Sequence, residues 1–354
     1  MELLKLVTII GARPQFIKAA TFSREIASYT DIKEIIVHTG QHYDVNMSDI
    51  FFDELKIPKP DYNIGIGSFS HGKQTGRMLE KIEEILLMEK PDWVMVYGDT
   101  NSTLAGALAA TKLHIKTAHV EAGLRSHNRA MPEEINRVLT DHTSDLLFAP
   151  TYNAMKILEQ EGLKERAIFS GDVMYDSIIY YKKLAAAKYS LDDIVPEIQA
   201  QHYYLATIHR AENTDDPDRL QNIFTALSEL DLSVLLPLHP RTKKCLKNIV
   251  FSENIKMIEP VGYLKMLILL DGCTKVFTDS GGLQKEAYFM QKPCITLRNE
   301  TEWIETLEGG WNFVVGDNPD LIKEKTMNAT YGRQQKLFGD GNAVEKMINN
   351  LKIL

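Results

Sequence analysis

Short apolar stretches alternate with longer amphipathic stretches along the first half of the chain. The short stretches are residues 4–10, 34–37, 93–97, 116–120 and 145–148, and we predict a buried strand at each. Between two of them, residues 74–88 carry apolar side chains at helical spacing, which predicts a helix with one buried face. This alternation is typical of βαβ units and predicts a parallel sheet.

The same alternation begins again in the second half. Further strands are predicted at residues 203–208, 233–238, 275–277, 294–297 and 313–315, and helices at residues 216–230, 282–290 and 319–327. Residues 180–201 lie between the halves, and we interpret this polar stretch, rich in Ala and Lys, as a helix end followed by a linker. Because 354 residues suffice for two α/β domains, we predict two Rossmann-like domains, each with a parallel sheet.

The composition narrows the possible partners. The chain has 40 Lys and Arg against 48 Asp and Glu, a formal net charge of −8, which is unfavourable for broad nucleic-acid or membrane binding. Three cysteines without a Cys-x-x-Cys pair favour a reducing compartment over a disulfide framework or a cysteine zinc site. The first residues have the pattern of a strand, not of a signal peptide, and no apolar run approaches the ~18 residues of a membrane helix. We therefore expect a cytoplasmic protein that binds neither nucleic acid nor membrane.

Candidate chemistry lies just after the strands, because open parallel sheets bind ligands at the carboxyl ends of their strands. After the first strand, Arg13 and Lys18 flank a glycine turn that begins a helix. This turn is either an anion site made of helix amides and two cations, or an ordinary turn with solvated charges. Asp99 follows the third strand, where it either reaches a ligand or caps the next helix.

Two further carboxylates follow the fourth strand. Glu121 lies between an apolar strand and an Ala-Gly turn, which predicts partial burial and a pKa raised toward the range of proton transfer. Glu133 opens a helix and shares a face with Arg137. These two residues belong either to a site or to an ordinary helix pair, since carboxylates are common in first helical turns.

The second half has its own strand-end groups. His209 and Arg210 follow one strand, and His239 follows the next. In residues 278–286 a strand ends, two glycines expose backbone amides and a helix begins, which favours a diphosphate cradle over a plain strand–helix turn. Glu286 lies one turn along that helix, where it can accept hydrogen bonds from two ribose hydroxyls.

Taken in order, these strings resemble the non-hydrolysing UDP-N-acetylglucosamine 2-epimerase family from Gly11 to about Gly316, and residues 119–137 and 278–286 are the most specific blocks. The resemblance implies the GT-B architecture, a homodimer and an active site in the interdomain cleft. It implies an N-terminal domain at residues 1–175 that carries the catalytic carboxylates and is joined by a C-terminal helix at 340–354. Residues 176–339 then form the UDP-binding domain.

The resemblance also implies roles for individual residues. Asp99, Glu121, Glu133 and His209 look like the catalytic group. The implied UDP-sugar contacts are Arg13, Lys18, Arg137, Ser280, Gly281, Gly282, Glu286 and Arg298, and further candidate contacts are Gln41, His42, Arg210 and His239. In the family mechanism a base removes the C2 proton while UDP leaves C1, and UDP adds back after protonation on the other face. No redox cofactor or metal is expected.

Three segments depart from the commonest family pattern. Residues 12–16 read Ala-Arg-Pro-Gln-Phe where many members have Thr-Arg-Pro-Glu, and residues 301–304 read Thr-Glu-Trp-Ile where many have Thr-Glu-Arg-Pro. Lys285 stands where Glu is common. Together with residues 38–42, these three segments resemble the family branch that acts on UDP-2,3-diacetamido-2,3-dideoxyglucuronate. That sugar carries an extra carboxylate, which an added cation would suit.

Three alternatives stay open from the sequence. A GT-B glycosyltransferase would share the fold and the UDP cradle but would have less need of acid-base groups such as Asp99 and Glu121. A hydrolysing epimerase would release UDP and free sugar. A non-catalytic nucleotide-sugar sensor would keep binding after loss of the carboxylates.

Overall fold

The computed structural model describes residues 3–41, 54–56, 58–67, 69–328 and 330–353, apart from the side chain of Arg13. The chain divides into two compact units. Unit 1 comprises Met1–Ser177 and Lys336–Leu354, and unit 2 comprises Ile178–Gln335. The boundary between them falls within one helix, Val173–Lys188.

Unit 1 is built on a seven-stranded sheet with the order β3-β2-β1-β4-β5-β6-β7. Its strands are β1 Leu4–Ile10, β2 Ile32–His38, β3 Tyr62–Asn63, β4 Trp93–Tyr97, β5 Lys116–Val120, β6 Leu146–Ala149 and β7 Ala167–Phe169. Its helices are α1 Arg13–Ile26, α2 His71–Glu89, α3 Asn101–Lys112, α4 Pro132–Thr143, α5 Tyr152–Gln160 and the start of α6 Val173–Lys188. Every strand pair is parallel.

Unit 2 repeats this arrangement with a six-stranded parallel sheet of order β10-β9-β8-β11-β12-β13. Its strands are β8 Tyr203–Thr207, β9 Ser233–Pro237, β10 Ile255–Ile258, β11 Lys275–Thr278, β12 Cys294–Thr296 and β13 Asn312–Val314. Its helices are α7 Ala211–Thr214, α8 Pro217–Ser228, α9 Pro240–Cys245, α10 Tyr263–Gly272, α11 Gly281–Phe289 and α12 Pro319–Asn328. A last helix, α13 Ala343–Ile353, belongs to unit 1.

The central strands form because their apolar residues are buried on both faces of each sheet, as parallel sheets require. All five residues of β4 are buried, and so are the last five residues of β1. The prediction of an α/β chain with two parallel sheets is confirmed. Among the described residues, no helix combines the length and the apolar character needed to cross a membrane.

The C-terminal helix α13 is held to unit 1 by polar contacts as well as by its buried apolar face. The Val344 amide donates to Asp176 Oδ2 at 2.9 Å, and Lys352 Nζ lies 2.5 Å from Asp31 Oδ2.

The order of each sheet reverses at one point, β1 beside β4 in unit 1 and β8 beside β11 in unit 2. Such reversals open a crevice at the carboxyl ends of the strands, where doubly wound sheets bind ligands. Most candidate groups of unit 1 lie after β1, β4 and β5, and those of unit 2 lie after β8, β9, β11 and β12.

Candidate active site

Asp99 follows β4 and the left-handed Gly98, whose φ is 64°. It does not cap the next helix, because Thr100 takes that position and its hydroxyl accepts from the Thr103 amide at 3.3 Å. The Asp99 carboxylate instead accepts a hydrogen bond from Arg137 Nη2, with 32% of the side chain exposed. Asp99 is therefore paired with a cation and still reachable from solvent.

Arg137 pairs with Glu134, not with Glu133. Its Nη1 donates to Glu134 at 3.0 Å, and Glu134 also accepts from the amides of Ser126 and His127, both at 2.9 Å. Glu134 faces inward on α4 and is buried, whereas Glu133, one position earlier, is exposed. The predicted helix pair thus forms at a spacing of three residues, with the inward carboxylate.

Glu121 comes directly after β5 with a φ of 75°, a conformation that costs energy in any residue with a side chain. Its carboxylate accepts from Lys18 Nζ, and the two side chains are only 10% and 6% exposed. A Cβ placed on Gly98 would lie 3.5 Å from Glu121 Oε2, so this carboxylate lies against the loop that carries Asp99.

The electrostatic surroundings of Asp99 favour a proton-transfer group. Burial is the main factor that raises the pKa of Asp99, and the charge of Glu121 raises it further. The guanidinium of Arg137 acts in the opposite direction but does not cancel the effect of burial. A carboxyl group with a raised pKa is suited to general acid-base chemistry near neutral pH.

The turn after β1 differs from the predicted anion site. Gln15 Oε1 accepts from the amides of Gly11 and Ala12 at 2.8 and 3.0 Å, and its Nε2 donates to the Tyr97 carbonyl at 2.7 Å. These two amides therefore bind a side chain of the same unit. Gln15 thereby connects the β1 and β4 loops.

Of three predicted contacts in the first half of the chain, one is described and two are not. Gln41 Oε1 accepts from the Ser102 amide and hydroxyl at 3.0 and 2.7 Å, which fixes its side chain at the start of α3. His42 and the side chain of Arg13 lie outside the described residues.

His209 in unit 2 is positioned by a fully buried carboxylate at the neighbouring strand end. Asp279 follows β11 and accepts from the amides of His209 and Arg210, each at 2.9 Å, while His209 Nδ1 lies 3.4 Å from Asp279 Oδ1. The His209 side chain is 33% exposed, and Arg210 is exposed. The His239 ring lies 5.3 Å from that of His209, but its Nδ1 accepts from the Arg241 amide and so caps α9.

The predicted diphosphate cradle is a helix start. Ser280 is the N-cap of α11, and its hydroxyl accepts from the Leu283 amide at 3.4 Å. The first amides of a helix have no acceptor within it, so those of Gly281 and Gly282 are the donors that a bound anion would use. Glu286, one turn along, is 8% exposed.

A charged cluster flanks the start of α11. Arg298 Nη1 donates to Glu302 at 2.8 Å. Burial alone would raise the pKa of Glu302, but the charges of Arg298 and Arg210 outweigh it and lower the pKa. Lys285 Nζ lies 3.8 Å above the centre of the Trp303 ring, a cation–π contact.

Sequence reasoning missed four residues that organise these groups, namely Gln15, Glu134, Asp279 and Glu302. Each lies within a motif that the sequence had already singled out. The signal that could have found Asp279 is its place directly after a buried strand, because a carboxylate there must find donors in a neighbouring loop. Within the described part of the chain, no three His, Cys, Asp or Glu side chains are grouped to hold a metal ion.

The fold and these groups define an α/β protein with two Rossmann-like units, one carrying paired carboxylates and the other a helix start suited to an anion. The family model described as UDP-N-acetylglucosamine 2-epimerase matches residues 24–352. The chain belongs to this family, as its motifs predicted, and is therefore an isomerase of the epimerase type.

Two relatives span nearly the whole chain. The UDP-N-acetylglucosamine 2-epimerase homolog of Methanococcus maripaludis is 54% identical over 361 residues, which covers 99% of this chain and 100% of the relative. The UDP-2,3-diacetamido-2,3-dideoxy-D-glucuronate 2-epimerase of Pseudomonas aeruginosa is 50% identical over 357 residues, covering 98% and 99%.

Solved structures support the fold. The crystal structure of Methanocaldococcus jannaschii UDP-GlcNAc 2-epimerase in complex with UDP-GlcNAc and UDP matches with a TM-score of 0.88 at 44% identity, covering 99% of this chain and 100% of that one. The calicheamicin glycosyltransferase CalG4 matches with a TM-score of 0.55 at 13% identity, covering 100% and 95%, a likeness of fold alone. The predicted GT-B fold class is thereby confirmed.

Proposed function

We propose that this chain inverts C2 of a UDP-linked 2-acetamido sugar, either UDP-GlcNAc, giving UDP-ManNAc, or UDP-2,3-diacetamido-2,3-dideoxyglucuronate. The observation that carries the proposal is the pair of carboxylates at neighbouring strand ends of unit 1, Asp99 and Glu121, each facing a cation. A transferase needs less acid-base machinery than this. The names of the relatives favour epimerisation over transfer.

Proton transfer is assigned to unit 1 because inversion at C2 requires a C–H bond to break and to re-form on the opposite face. One group takes the proton and another returns it, so at least two acid-base groups are needed. Asp99, with a pKa raised by burial, and Glu121, paired with Lys18, are the first candidates. Glu133 completes the proposed catalytic group of unit 1, and His209 is proposed as a further catalytic residue from unit 2.

UDP binding is assigned to unit 2. The amides of Gly281 and Gly282 would donate to the diphosphate, and the buried carboxylate of Glu286 would accept from the ribose hydroxyls. Arg298 and Arg210 would add positive charge beside the leaving group. Four other proposed ligand contacts already have hydrogen-bond partners within the chain, namely Lys18, Arg137, Gln41 and His239. To bind the ligand, each would either contact it in addition to its present partner or give that partner up.

The proposed reaction balances without a redox partner. A base takes the C2 proton, the C2–H electron pair forms the C1=C2 double bond, and the C1–O bond breaks with its pair leaving on UDP. The product is a 2-acetamidoglycal. An acid then protonates C2 on the other face while a UDP oxygen attacks C1, which regenerates the nucleotide sugar with inverted C2.

The test is NMR of the purified protein with each of the two UDP-sugars, separately, in D₂O. We expect the C2 epimer of at least one substrate to form with deuterium at C2. Product that retains protium at C2 would contradict the proton-transfer mechanism. A sugar transferred to an added acceptor, or free sugar released with UDP, would favour the transferase or the hydrolase instead.

Neutral variants separate catalysis from binding. Asp99→Asn and Glu121→Gln should lower kcat by ~10²–10⁴-fold while UDP affinity is kept. Glu25→Gln, an exposed carboxylate on α1, is the matched control and should keep wild-type kcat. If Asp99→Asn and Glu121→Gln turn over like the control, the carboxylates are not acid-base groups.

The UDP assignment has its own test. Glu286→Ala should weaken UDP binding by ~1–3 kcal/mol in calorimetry, because a charged acceptor to the ribose is lost. Unchanged affinity would show that the ribose lies elsewhere.

We also propose that the protein acts as a homodimer in the cytoplasm and supplies precursors for surface polysaccharides. The support is the family resemblance together with a cysteine content that suits a reducing compartment. Light scattering at several protein concentrations tests the dimer, and a monomer throughout would contradict it.

A further inference from the structure

His119 lies within a buried polar network beneath the carboxylates of unit 1. It is in β5 and fully buried, and Asp141 on α4 is fully buried as well. His119 Nδ1 is 2.7 Å from Asp141 Oδ1, and its Nε2 is 2.7 Å from the carbonyl oxygen of Gly98. A carbonyl oxygen only accepts, so Nε2 is the donor to Gly98, while Nδ1 lies within hydrogen-bond distance of the Asp141 carboxylate.

The network reaches both loops that carry the proposed proton-transfer groups. Gly98, which accepts from His119, directly precedes Asp99. On the other side, Asp141 Oδ2 accepts from the amide of Gly123 at 3.0 Å, two residues after Glu121. His119 and Asp141 therefore connect the β4 loop to the β5 loop through one pair of side chains.

Both loops need such support because their backbone conformations are unusual. Gly98 and Gly123 have φ values of 64° and 80°, and Glu121 itself has 75°. A residue with a side chain keeps such a conformation only where its surroundings determine it. Hydrogen bonds from buried, charged groups are among the strongest available for this purpose.

The network is anchored on its far side. Arg125 Nη1 donates to Asp141 Oδ2 at 2.7 Å, while Arg125 Nε and Nη2 donate to Glu161 at 2.8 and 2.6 Å. Burial would raise the pKa of Asp141, but the hydrogen bonds and charges of His119 and Arg125 outweigh it and lower the pKa. Asp141 is thus ionised and held between His119 and Arg125.

We propose that His119 is a positioning residue for C2 epimerisation, which fixes the Gly98–Asp99 loop relative to Glu121 by donating to the Gly98 carbonyl from a ring anchored on Asp141. This inference rests on the proposed function. His119 touches neither substrate nor reacting atoms in this role. It sets the distance between the two groups that do.

Two substitutions at His119 separate positioning from general stability. A Gln side chain can place its amide nitrogen near the position of Nε2 and donate to Gly98, whereas an Asn side chain can place its nitrogen near Nδ1 and donate to Asp141. We expect His119→Asn to lower kcat on the order of 10²-fold with little change in KM, because the carboxylates are misplaced. His119→Gln should recover much of that loss.

Controls distinguish this inference from the proposed function. His114→Asn makes the same change at an exposed histidine with a φ of 59°, which Asn tolerates, and should keep wild-type kcat. UDP affinity, assigned to unit 2, should be unchanged in all variants. A wild-type protein that epimerises neither UDP-sugar overturns the proposed function. A wild type that epimerises while His119→Asn keeps its kcat overturns only the positioning role.

A loss of kcat caused only by lower stability would give a different pattern across the variants. His119→Asn and His119→Gln would then lose kcat equally and in step with a lowered Tm, which also overturns the proposal. If His119→Asn does not fold, Arg125→Met provides the second test, because it removes the cation that holds Asp141 and fills a similar volume. We expect a lower kcat at unchanged KM, and wild-type kcat in Arg125→Met would overturn the inference.

Discussion

Glu34 offers a quantitative test of the packing in unit 1. It lies in β2, where its Oε1 accepts a hydrogen bond from Thr8 Oγ1 at 2.5 Å. Burial raises the pKa of Glu34 from 4.5 to about 7, and the charge of Asp61 adds to the effect while the bond from Thr8 opposes it. The folded protein therefore favours the neutral carboxyl, and we expect Glu34→Gln to stabilise unit 1 at high pH.

The sign and size of the expected change in stability follow from the pKa of Glu34 in the unfolded and in the folded protein. Because the folded pKa is the higher one, the stability contributed by the neutral group is fully present below pH 4.5 and is lost as the pH rises through about 7. The interval from 4.5 to about 7 corresponds to about 3 kcal/mol. Glu34→Gln keeps the acceptor for Thr8 but cannot ionise. Its free energy of unfolding should equal that of the wild type near pH 4 and exceed it by about 3 kcal/mol at pH 8.

The assay uses the single tryptophan of unit 1. Of the three tryptophans, Trp93 lies in β4, whereas Trp303 and Trp311 lie in unit 2. With both of the latter replaced by Phe in the full chain, Trp93 fluorescence in urea reports the unfolding of unit 1 alone. Glu25→Gln in the same background controls for the loss of one charge. Parallel stability curves for wild type and Glu34→Gln from pH 4 to 8 would refute the reasoning.

Two further predictions concern a helix start and a helix anchor. Gly281→Ala should lower Tm because its Cβ would lie 2.6 Å from Glu302 Oε1 and would displace a carboxylate that Arg298 holds at 2.8 Å. At Gly282 the nearest atom is 3.8 Å away, so Gly282→Ala should keep Tm and weaken only UDP binding. Equal Tm losses in the two variants would contradict this. Burial raises the pKa of Asp176 from 3.8 to about 6, so its stabilising neutral form is lost as the pH rises through about 6. Asp176→Asn should then raise the free energy of unfolding by about 2–3 kcal/mol at pH 8 and not at pH 3.5, measured by Trp93 fluorescence.

The central strands could be predicted from the sequence because burial on both faces makes them continuous apolar runs. The bounds predicted for β1, β4 and β5 agree with the structure. Three strands were missed, β3, β7 and β10, and each lies at an edge of its sheet. They have only two to four residues and are largely half-exposed, so any apolar run in them is too short to recognise as a strand.

The candidate site was predicted in part. Strand-end positions located Asp99, Glu121 and His209, because the carboxyl ends of parallel strands are read directly from the strand pattern. The partner of each charge could not be predicted, since it depends on side-chain direction around a helix. Arg137 pairs with Glu134 instead of Glu133 for this reason. Whether the predicted residues bind or transform a ligand stays a prediction.

Backbone amides, more than charged side chains, explain how an acidic chain can favour an anionic ligand. With a net charge of −8, the protein as a whole repels a nucleotide sugar, so attraction must be local. Lys18, Arg137 and Arg298 each face a carboxylate of the same unit, which fixes the direction of their donors but offsets their charge. Backbone amides at the start of α11 attract an anion without a counter-charge to displace. The amides therefore suit the leaving diphosphate, and the paired carboxylates suit the proton, which must be taken up and returned.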